Sequence, residues 1–174
     1  MSSTSIFRIA AIAAVIASGI VVGGHASAVE KPTEAERHCV VEVTGVEDGV
    51  YVTQPEVCFG SQAEAVLHAV LISTDTWESG GFLLSSGNNT IGTHYTSTSY
   101  SGSSVRVVGT TCGGGVWYPT GAWNNNIESS RHHCGTSPTT FYDSSACAGS
   151  SHPIYSAATS LSQMNNKASC VRYG

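Results

Sequence analysis

The sequence is poor in charge, and basic residues are even scarcer than acidic ones. Lysine and arginine together number seven in 174 residues, and no stretch forms a basic patch, so nucleic-acid binding is not expected. No two cysteines have the CxxC spacing typical of a structural zinc site. GxSxG, HExxH and a glycine-rich phosphate loop between a strand and a helix are also lacking. The motifs therefore give no ground for expecting an enzyme.

The sequence also lacks an apolar run of the roughly 20 residues that a membrane-spanning helix needs. Its longest run, IAAIAAVIASGIVV, is 14 residues long, follows Arg8 and precedes the small residues Ala26-Ser27-Ala28. This arrangement is typical of a secretory signal peptide over residues 1–28. We therefore expect a secreted protein that has no contact with a membrane once the signal is cleaved.

All six cysteines follow the predicted cleavage site. In an exported chain, an even number with long spacings favours disulfides over metal ligands. Six cysteines permit about 15 pairings, which the sequence alone does not distinguish. A bond between Cys39 and Cys58 is the first expectation, because these two flank one short predicted unit. The full set that we expect is Cys39–Cys58, Cys112–Cys134 and Cys147–Cys170.

Charge divides the rest of the chain into two parts. Residues 29–79 hold ten acidic and two basic residues, whereas residues 80–174 hold two acidic and four basic ones. In the first part, CVVEV is typical of a strand, and VYVT follows the hairpin-type turn Asp48-Gly49. We expect a small acidic α+β segment over residues 29–80. It either packs beside the rest as extra strands and a helix, or acts as a separate binding element.

A short amphipathic helix is predicted within that segment. Ser61 followed by Glu64 is the signature of a capping box at a helix start. Apolar residues then recur at helical spacing and form one stripe. The stripe consists of Ala63, Val66, Leu67, Val70 and Leu71.

Residues 91–174 contain short β segments with Gly and Ser between them, which predicts an all-β sandwich or barrel. One pattern occurs twice in this part: a tyrosine, four intervening residues, a second residue, one intervening residue and a glycine. The first copy is Tyr95, Tyr100 and Gly102, and the second is Tyr142, Cys147 and Gly149. Each copy is followed by a β segment, a large apolar residue and a run of asparagines. The large apolar residues are Trp123 and Met164, each eight residues before an arginine.

This repeat resembles the βγ-crystallin family over the whole of residues 91–174. That family builds each domain from two Greek-key motifs, each with an aromatic-x4-aromatic-x-Gly hairpin and a later (N/D)(N/D)xx(S/T)S calcium loop. The resemblance implies a mainly β fold, a double Greek-key sandwich preceded by the small α+β segment. Gly102 and Gly149 would supply the positive φ that a folded hairpin needs. Cys147 departs from the family by replacing the second aromatic residue, and we expect its disulfide to stand in for ring packing.

The asparagine runs match the family's calcium loop in two registers. A literal match uses residues 125–130, whereas the internal repeat aligns Trp123 with Met164. We prefer the second register, because it buries Ile127 and Ala168 at equivalent positions.

In the preferred register Glu128 replaces a ligating hydroxyl and Cys170 replaces the final serine. The resemblance then implies one or two weak calcium sites, with backbone carbonyls assisting. The alternative is a metal-free turn, in which the Asn side chains bond their own backbone. The residues implied as ligands are Asn124, Asn125, Asn126, Glu128, Ser129, Asn165, Asn166, Lys167 and Ser169.

Two functions remain open from the sequence. The first is a monomeric, non-enzymatic, disulfide-stabilised module that binds calcium. The second is inhibition of an extracellular proteinase, since some secreted microbial metalloproteinase inhibitors and killer-toxin-like proteins are similar in fold. For that role a rigid exposed loop is needed. The candidate is residues 110–121, with Val116, Trp117 and Tyr118 at its tip.

Overall fold

The computed structural model describes residues 35–74, 89–110, 113–133 and 135–174. Within them the chain is mainly β, with a single α-helix, α1 (Gln62–Thr74), and short 3-10 turns at Thr98–Tyr100, Gly121–Trp123 and Ser162–Met164. The strands are β1 (His38–Glu47), β2 (Val50–Thr53), β3 (Val57–Phe59), β4 (Asn89–Ser97), β5 (Ser101–Gly109), β6 (Gly115–Trp117), β7 (Ser129–His132), β8 (Thr139–Tyr142), β9 (Ser151–Ile154), β10 (Ala157–Ala158) and β11 (Cys170–Tyr173).

The strands after α1 form two sheets of four, ordered β10-β7-β4-β5 and β6-β11-β8-β9. Each sheet takes three strands from one half of this region and one strand from the other half. The exchanged strands are β10, which pairs with β7, and β6, which pairs with β11. Buried residues of both sheets, such as Val107 and Phe141, belong to one hydrophobic core. This confirms the predicted double Greek-key sandwich.

The N-terminal hairpin joins the two sheets. Strand β1 runs parallel to β5 along six residue pairs, and β2 pairs with β6 through Val50 and Val116. A register shift between Val43 and Gly45 marks a β-bulge, which bends and twists a strand. The described part of the acidic segment thus packs as extra strands and a helix, within one compact unit, Glu34–Gly174.

Local signals explain this hairpin and the start of the helix. Asp48 and Gly49 have φ values of 51° and 77°, the left-handed pair that a tight hairpin turn requires. Ser61 accepts a bond from the Glu64 backbone N–H at 3.3 Å, and its hydroxyl donates to the Glu64 carboxylate at 2.9 Å. Both features were predicted from the sequence.

The face of α1 that contacts the sheet is not the predicted apolar stripe. An amphipathic helix normally buries its large apolar residues, yet Leu67 and Leu71 are 60% and 54% exposed. Ala65 and Ala69 are buried instead, in a cluster with Val40. Small side chains four residues apart allow the helix to lie close on the outer face of the sheet, so the stripe prediction is wrong. The stripe residues that the structure leaves exposed are Ala63, Val66, Leu67, Val70 and Leu71.

Two of the three expected disulfides are present, Cys39–Cys58 and Cys147–Cys170. Cys39 and Cys58 are directly opposite each other on β1 and β3. The expected partners Cys112 and Cys134 lie outside the described residues, as does the predicted signal peptide, residues 1–28. Among the helices of the described ranges, none is long and apolar enough to cross a membrane.

Candidate functional site

Each Greek-key motif begins with a hairpin folded at a glycine. Gly102 and Gly149 have φ values of 75° and 87°, in the region that favours glycine. A Cβ on Gly102 would lie 2.7 Å from the Thr96 hydroxyl, and one on Gly149 would lie 2.7 Å from the Asp143 carboxylate. The backbone conformation therefore favours glycine at both positions that the repeat indicates, and a larger residue would also have to displace these side-chain oxygens.

An arginine covers the aromatic ring of each hairpin. The Arg131 guanidinium lies 3.9 Å from the ring centroid of Tyr100, which meets Tyr95 edge-on at 5.7 Å. In the second motif, the Arg172 guanidinium lies 5.4 Å from the ring centroid of Tyr142. These cation–π contacts give the final arginine of each repeat a structural role.

Ser129 is buried and is bonded to the first hairpin. Its hydroxyl donates to the Ser97 carbonyl at 2.6 Å and accepts from the Tyr100 backbone N–H at 3.0 Å. In the second motif, the equivalent residue is Cys170, which is bonded to Cys147, the counterpart of Tyr100. A disulfide thus replaces a hydrogen bond, and the Ser129 hydroxyl does not lie with the other predicted ligands.

The two asparagine loops lie against each other with matching backbone geometry. The Asn125 N–H donates to the Ala168 carbonyl at 3.0 Å, and the Asn166 N–H donates to the Ile127 carbonyl at 3.0 Å. Asn125 and Asn166 have nearly equal left-handed φ values of 56° and 55°. Ile127 and Ala168 are both fully buried, as the internal-repeat register requires. The equivalence of Asn125 and Asn166 supports that register over the literal family match.

Side chains also cross between the loops, in two pairs. The Ser169 hydroxyl donates to Asn125 Oδ1 at 2.9 Å. The Asn166 amide donates from Nδ2 to Glu128 Oε1 at 2.7 Å. The two pairs are equivalent in the repeat. Ser169 is three residues after Asn166, and Glu128 is three residues after Asn125. Four of the nine predicted ligands are therefore brought together at the junction of the two motifs.

The remaining predicted ligands have other surroundings. The Asn126 amide donates to the Ala122 carbonyl at 3.1 Å, within its own loop. Asn165 Oδ1 accepts from the Ser160 hydroxyl at 3.3 Å. Asn124 and Lys167 are exposed at the rims of the loops. These four residues surround the crossed pairs rather than form part of them.

One contact near the loops comes from the acidic segment. The buried Trp123 indole donates from Nε1 to Glu56 Oε2 at 2.7 Å. A buried indole N–H needs a hydrogen-bond acceptor, so a buried Trp123 could have been expected to have one. The sequence does not indicate that the acceptor is Glu56. Glu56 also lies near the sulfurs of Cys39 and Cys58, but these form a disulfide and cannot bind a metal ion. The role of Glu56 is to hold Trp123.

The loop proposed for proteinase contact does not have an exposed apolar tip. Val116 and Trp117 are buried in β6, with 8% and 6% of their surface exposed. The Trp117 indole stacks on the His94 ring, with centroids 5.3 Å apart and planes at 10°. Of the three predicted tip residues, Tyr118 alone is exposed. The prediction that Val116 and Trp117 form an exposed tip is wrong, because both side chains pack in the interior.

His94 lies in the interior and has a strongly lowered pKa. It is fully buried between Ser130 Oγ, 2.9 Å from Nδ1, and the Tyr173 hydroxyl, 2.6 Å from Nε2. Burial lowers its pKa to about 3, with smaller effects from His133 and His132. A Ser–His–Tyr chain of this kind is out of reach of a substrate, so it acts as a packed polar network.

Comparison with known proteins gives a partial structural likeness. No family model matches the sequence, and no curated protein matches it. The N-terminal domain of Protein S, a βγ-crystallin-type fold, is similar to 49% of this chain over 93% of its own length. The sequence identity is 20% and the TM-score is 0.38. A similarity of this size says nothing about function, and the Greek-key arrangement follows from the strand order itself.

Proposed function

We propose that this chain is a secreted, non-enzymatic Greek-key protein that binds calcium at the junction of its two asparagine loops. The observation that supports this proposal is the crossed pairing of Asn125 with Ser169 and of Asn166 with Glu128. An ion bound at either pair would link the two motifs, and so would stabilise the folded state.

The donor set suits a hard cation. Calcium prefers six to eight oxygen ligands, which carboxylates, amides, hydroxyls, carbonyls and water all supply. Two such oxygens, Ser169 Oγ and Asn125 Oδ1, already lie 2.9 Å apart. At the other pair, rotating the Asn166 amide would turn Oδ1 toward the Glu128 carboxylate. Carbonyls of Asn126 and Lys167, with water, would supply further oxygens.

The two pairs should differ in affinity. The pair containing Glu128 has a carboxylate, whereas the pair containing Ser169 has neutral oxygens alone. Calcium affinity rises with the charge of the ligands, so the Glu128 pair would bind the tighter ion. With one carboxylate in the set, the dissociation constant would fall in the weak range of extracellular modules, on the order of 0.1–1 mM.

A calcium titration followed by melting temperature and by calorimetry tests this proposal. A ligand that binds the folded state alone stabilises it by about 1.4 kcal/mol at ten times its dissociation constant. Glu128→Gln should weaken the tighter site by about tenfold or more, since it removes the single charge. Asp143→Asn is the matched control, because Asp143 is exposed and lies on the second hairpin. Equal effects of the two substitutions would contradict the proposal.

The same experiment separates calcium binding from proteinase inhibition. An unchanged melting temperature at millimolar calcium, together with inhibition of an extracellular proteinase in an activity assay, would favour the inhibitor. Because Val116 and Trp117 are buried, such an inhibitor would not contact the proteinase through these two side chains.

A further inference from the structure

Four polar side chains lie together on the outer face of the first sheet. Arg131 on β7 is paired with Thr93 on β4, which is paired with Arg106 on β5. Directly paired residues share a face of the sheet, so the two arginines lie about 10 Å apart on either side of Thr93. His133 is on the same face, and its Nε2 is 3.2 Å from Thr93 Oγ1. We call Arg131, Thr93, Arg106 and His133 the cationic row.

The contacts of the cationic row are with neutral groups and with other cations, although Glu42 lies on the same face of the adjacent strand β1, two residues after Val40, the partner of Arg106. The Arg106 guanidinium bonds to the neutral Thr90 hydroxyl at 3.1 Å. His133 is surrounded by Arg106, Arg131 and His132, and burial, followed by these positive neighbours, lowers its pKa. Arg106 is half-buried, and a partly desolvated cation without a counter-ion is costly. An anion bound beside Arg106 would offset this cost.

The second motif provides an internal comparison. Its equivalent row is Arg172, Thr140 and Pro153, by the register of β11, β8 and β9. Arginine and threonine thus recur in both motifs, and each arginine covers a hairpin tyrosine. Proline occupies the place of Arg106 in the second motif. The repeated architecture explains Arg131, but it does not explain Arg106 or His133.

We propose that the cationic row binds a sulfate or phosphate group. The planar Arg106 guanidinium suits two oxygens of a tetrahedral anion. Arg131 and His133 are exposed and adjoin it on the same face, so their charges attract the same group. Thr93 is buried and acts as a positioning residue, since it holds the His133 ring. This site is on the outer face of the sheet and is independent of the calcium proposal.

Titration with inorganic sulfate tests the proposal, because the charge of sulfate does not change over the pH range used. Ionic strength is held constant with chloride, and binding is followed by the NMR shifts of the His133 ring. Saturable shifts in the wild type are the expected result. Binding should strengthen several-fold as the pH is lowered to below the ordinary histidine value of 6.5, because the lowered pKa of His133 delays its protonation to more acidic pH. Shifts that are linear in sulfate, or affinity independent of pH, would overturn the proposal.

Three variants distinguish the row from general charge screening. Arg106→Met keeps the apolar stem and should weaken sulfate binding by about tenfold or more. Arg172→Met removes the same charge from the second motif, at the position equivalent to Arg131, and should leave binding unchanged. His133→Gln should retain the fold while abolishing the pH dependence, so the test stands even if the Arg106 variant unfolds. Equal losses in the two arginine variants would refute a specific site.

A phosphate ester that binds more tightly than inorganic sulfate or phosphate would identify a group on a larger ligand as the source.

Discussion

The Tyr51 ring stacks on the Tyr173 ring, with centroids 5.6 Å apart and planes at 26°. Tyr51 belongs to the N-terminal hairpin and Tyr173 to the last strand of the second motif, and both are buried in the same core. The acidic segment therefore contributes to the interior of the sandwich.

Truncation of Tyr51 should destabilise the whole protein. Tyr51→Ala removes a buried ring, and substitutions of this kind typically lower the free energy of unfolding by about 3–5 kcal/mol. Tyr155→Ala is the control, because Tyr155 is 67% exposed and should change stability little. Denaturant unfolding followed by near-UV circular dichroism measures both. A second, separate transition in the Tyr51 variant would mean that the hairpin unfolds by itself.

The contact beneath Tyr51 predicts a second stability effect. A Cβ on Gly115 would overlap the Tyr51 ring at Cε1. Gly115→Ala should therefore displace Tyr51 and lower the free energy of unfolding by about 1–3 kcal/mol. A Cβ on Gly45 meets no atom within 4 Å, so Gly45→Ala should be nearly neutral. Thermal unfolding of the pair checks this, and equal melting temperatures would show that Tyr51 is not held where the structure places it.

Removal of the Cys147–Cys170 disulfide should cost more than loss of one hydrogen bond. The bond spans 23 residues, and a loop of that size corresponds to about 3 kcal/mol in the chain-entropy account. The double substitution Cys147→Ser and Cys170→Ser should lower the free energy of unfolding by about that amount. When both proteins are fully reduced, the difference should disappear. A difference that persists under reduction would mean that side-chain packing, rather than the covalent bond, is responsible.

Matched substitutions on α1 test which face contacts the sheet. Leu67→Glu places a charge at a position that is 60% exposed and should change the free energy of unfolding by less than about 0.5 kcal/mol. Ala69→Glu buries the same charge against Val40 and Val108 and should destabilise by about 3 kcal/mol or more. Urea unfolding of the two variants shows which face contacts the sheet. A larger loss of stability in Leu67→Glu than in Ala69→Glu would mean that the stripe predicted from the sequence is the buried face.

Stability should fall in mild acid because His94 is buried in its neutral form. Its pKa is about 3 in the folded state, against 6.5 for an ordinary histidine, which we take for the unfolded chain. Below about pH 6.5 the unfolded chain therefore binds a proton that the folded state does not bind. The free energy of unfolding then decreases with falling pH, by up to ~1.4 kcal/mol per pH unit, until about pH 3.

The substitution His94→Gln should reduce this slope between pH 6 and pH 4. A smaller slope would remain, because burial also lowers the pKa of His133. His152→Gln, on strand β9, is the matched control, because it replaces a histidine outside the buried network of His94. Unfolding in urea at a series of pH values gives the measurement. An unchanged slope in the His94 variant would assign the acid sensitivity to other groups.

Short-range features were predicted well because neighbouring residues decide them. The Asp48-Gly49 turn, the Ser61 cap and the hairpin glycines depend on a few adjacent residues, and the structure has each of them in place. The repeat extended this to longer range, since two copies of one pattern predict two equivalent motifs. The crossed asparagine loops follow from that equivalence.

The sequence alone thus determined the mainly β class, the duplicated Greek key and the region of the candidate ion site, because local preferences and repetition are properties of the chain order. The tertiary structure alone decided the rest. Burial of Ala69 rather than Leu67, insertion of Tyr51 into the core, removal of Ser129 from the ligand set and alignment of Arg131 with Arg106 each depend on which surfaces meet. Such contacts join residues far apart in sequence, and the residues on one surface do not determine which other part of the chain packs against them.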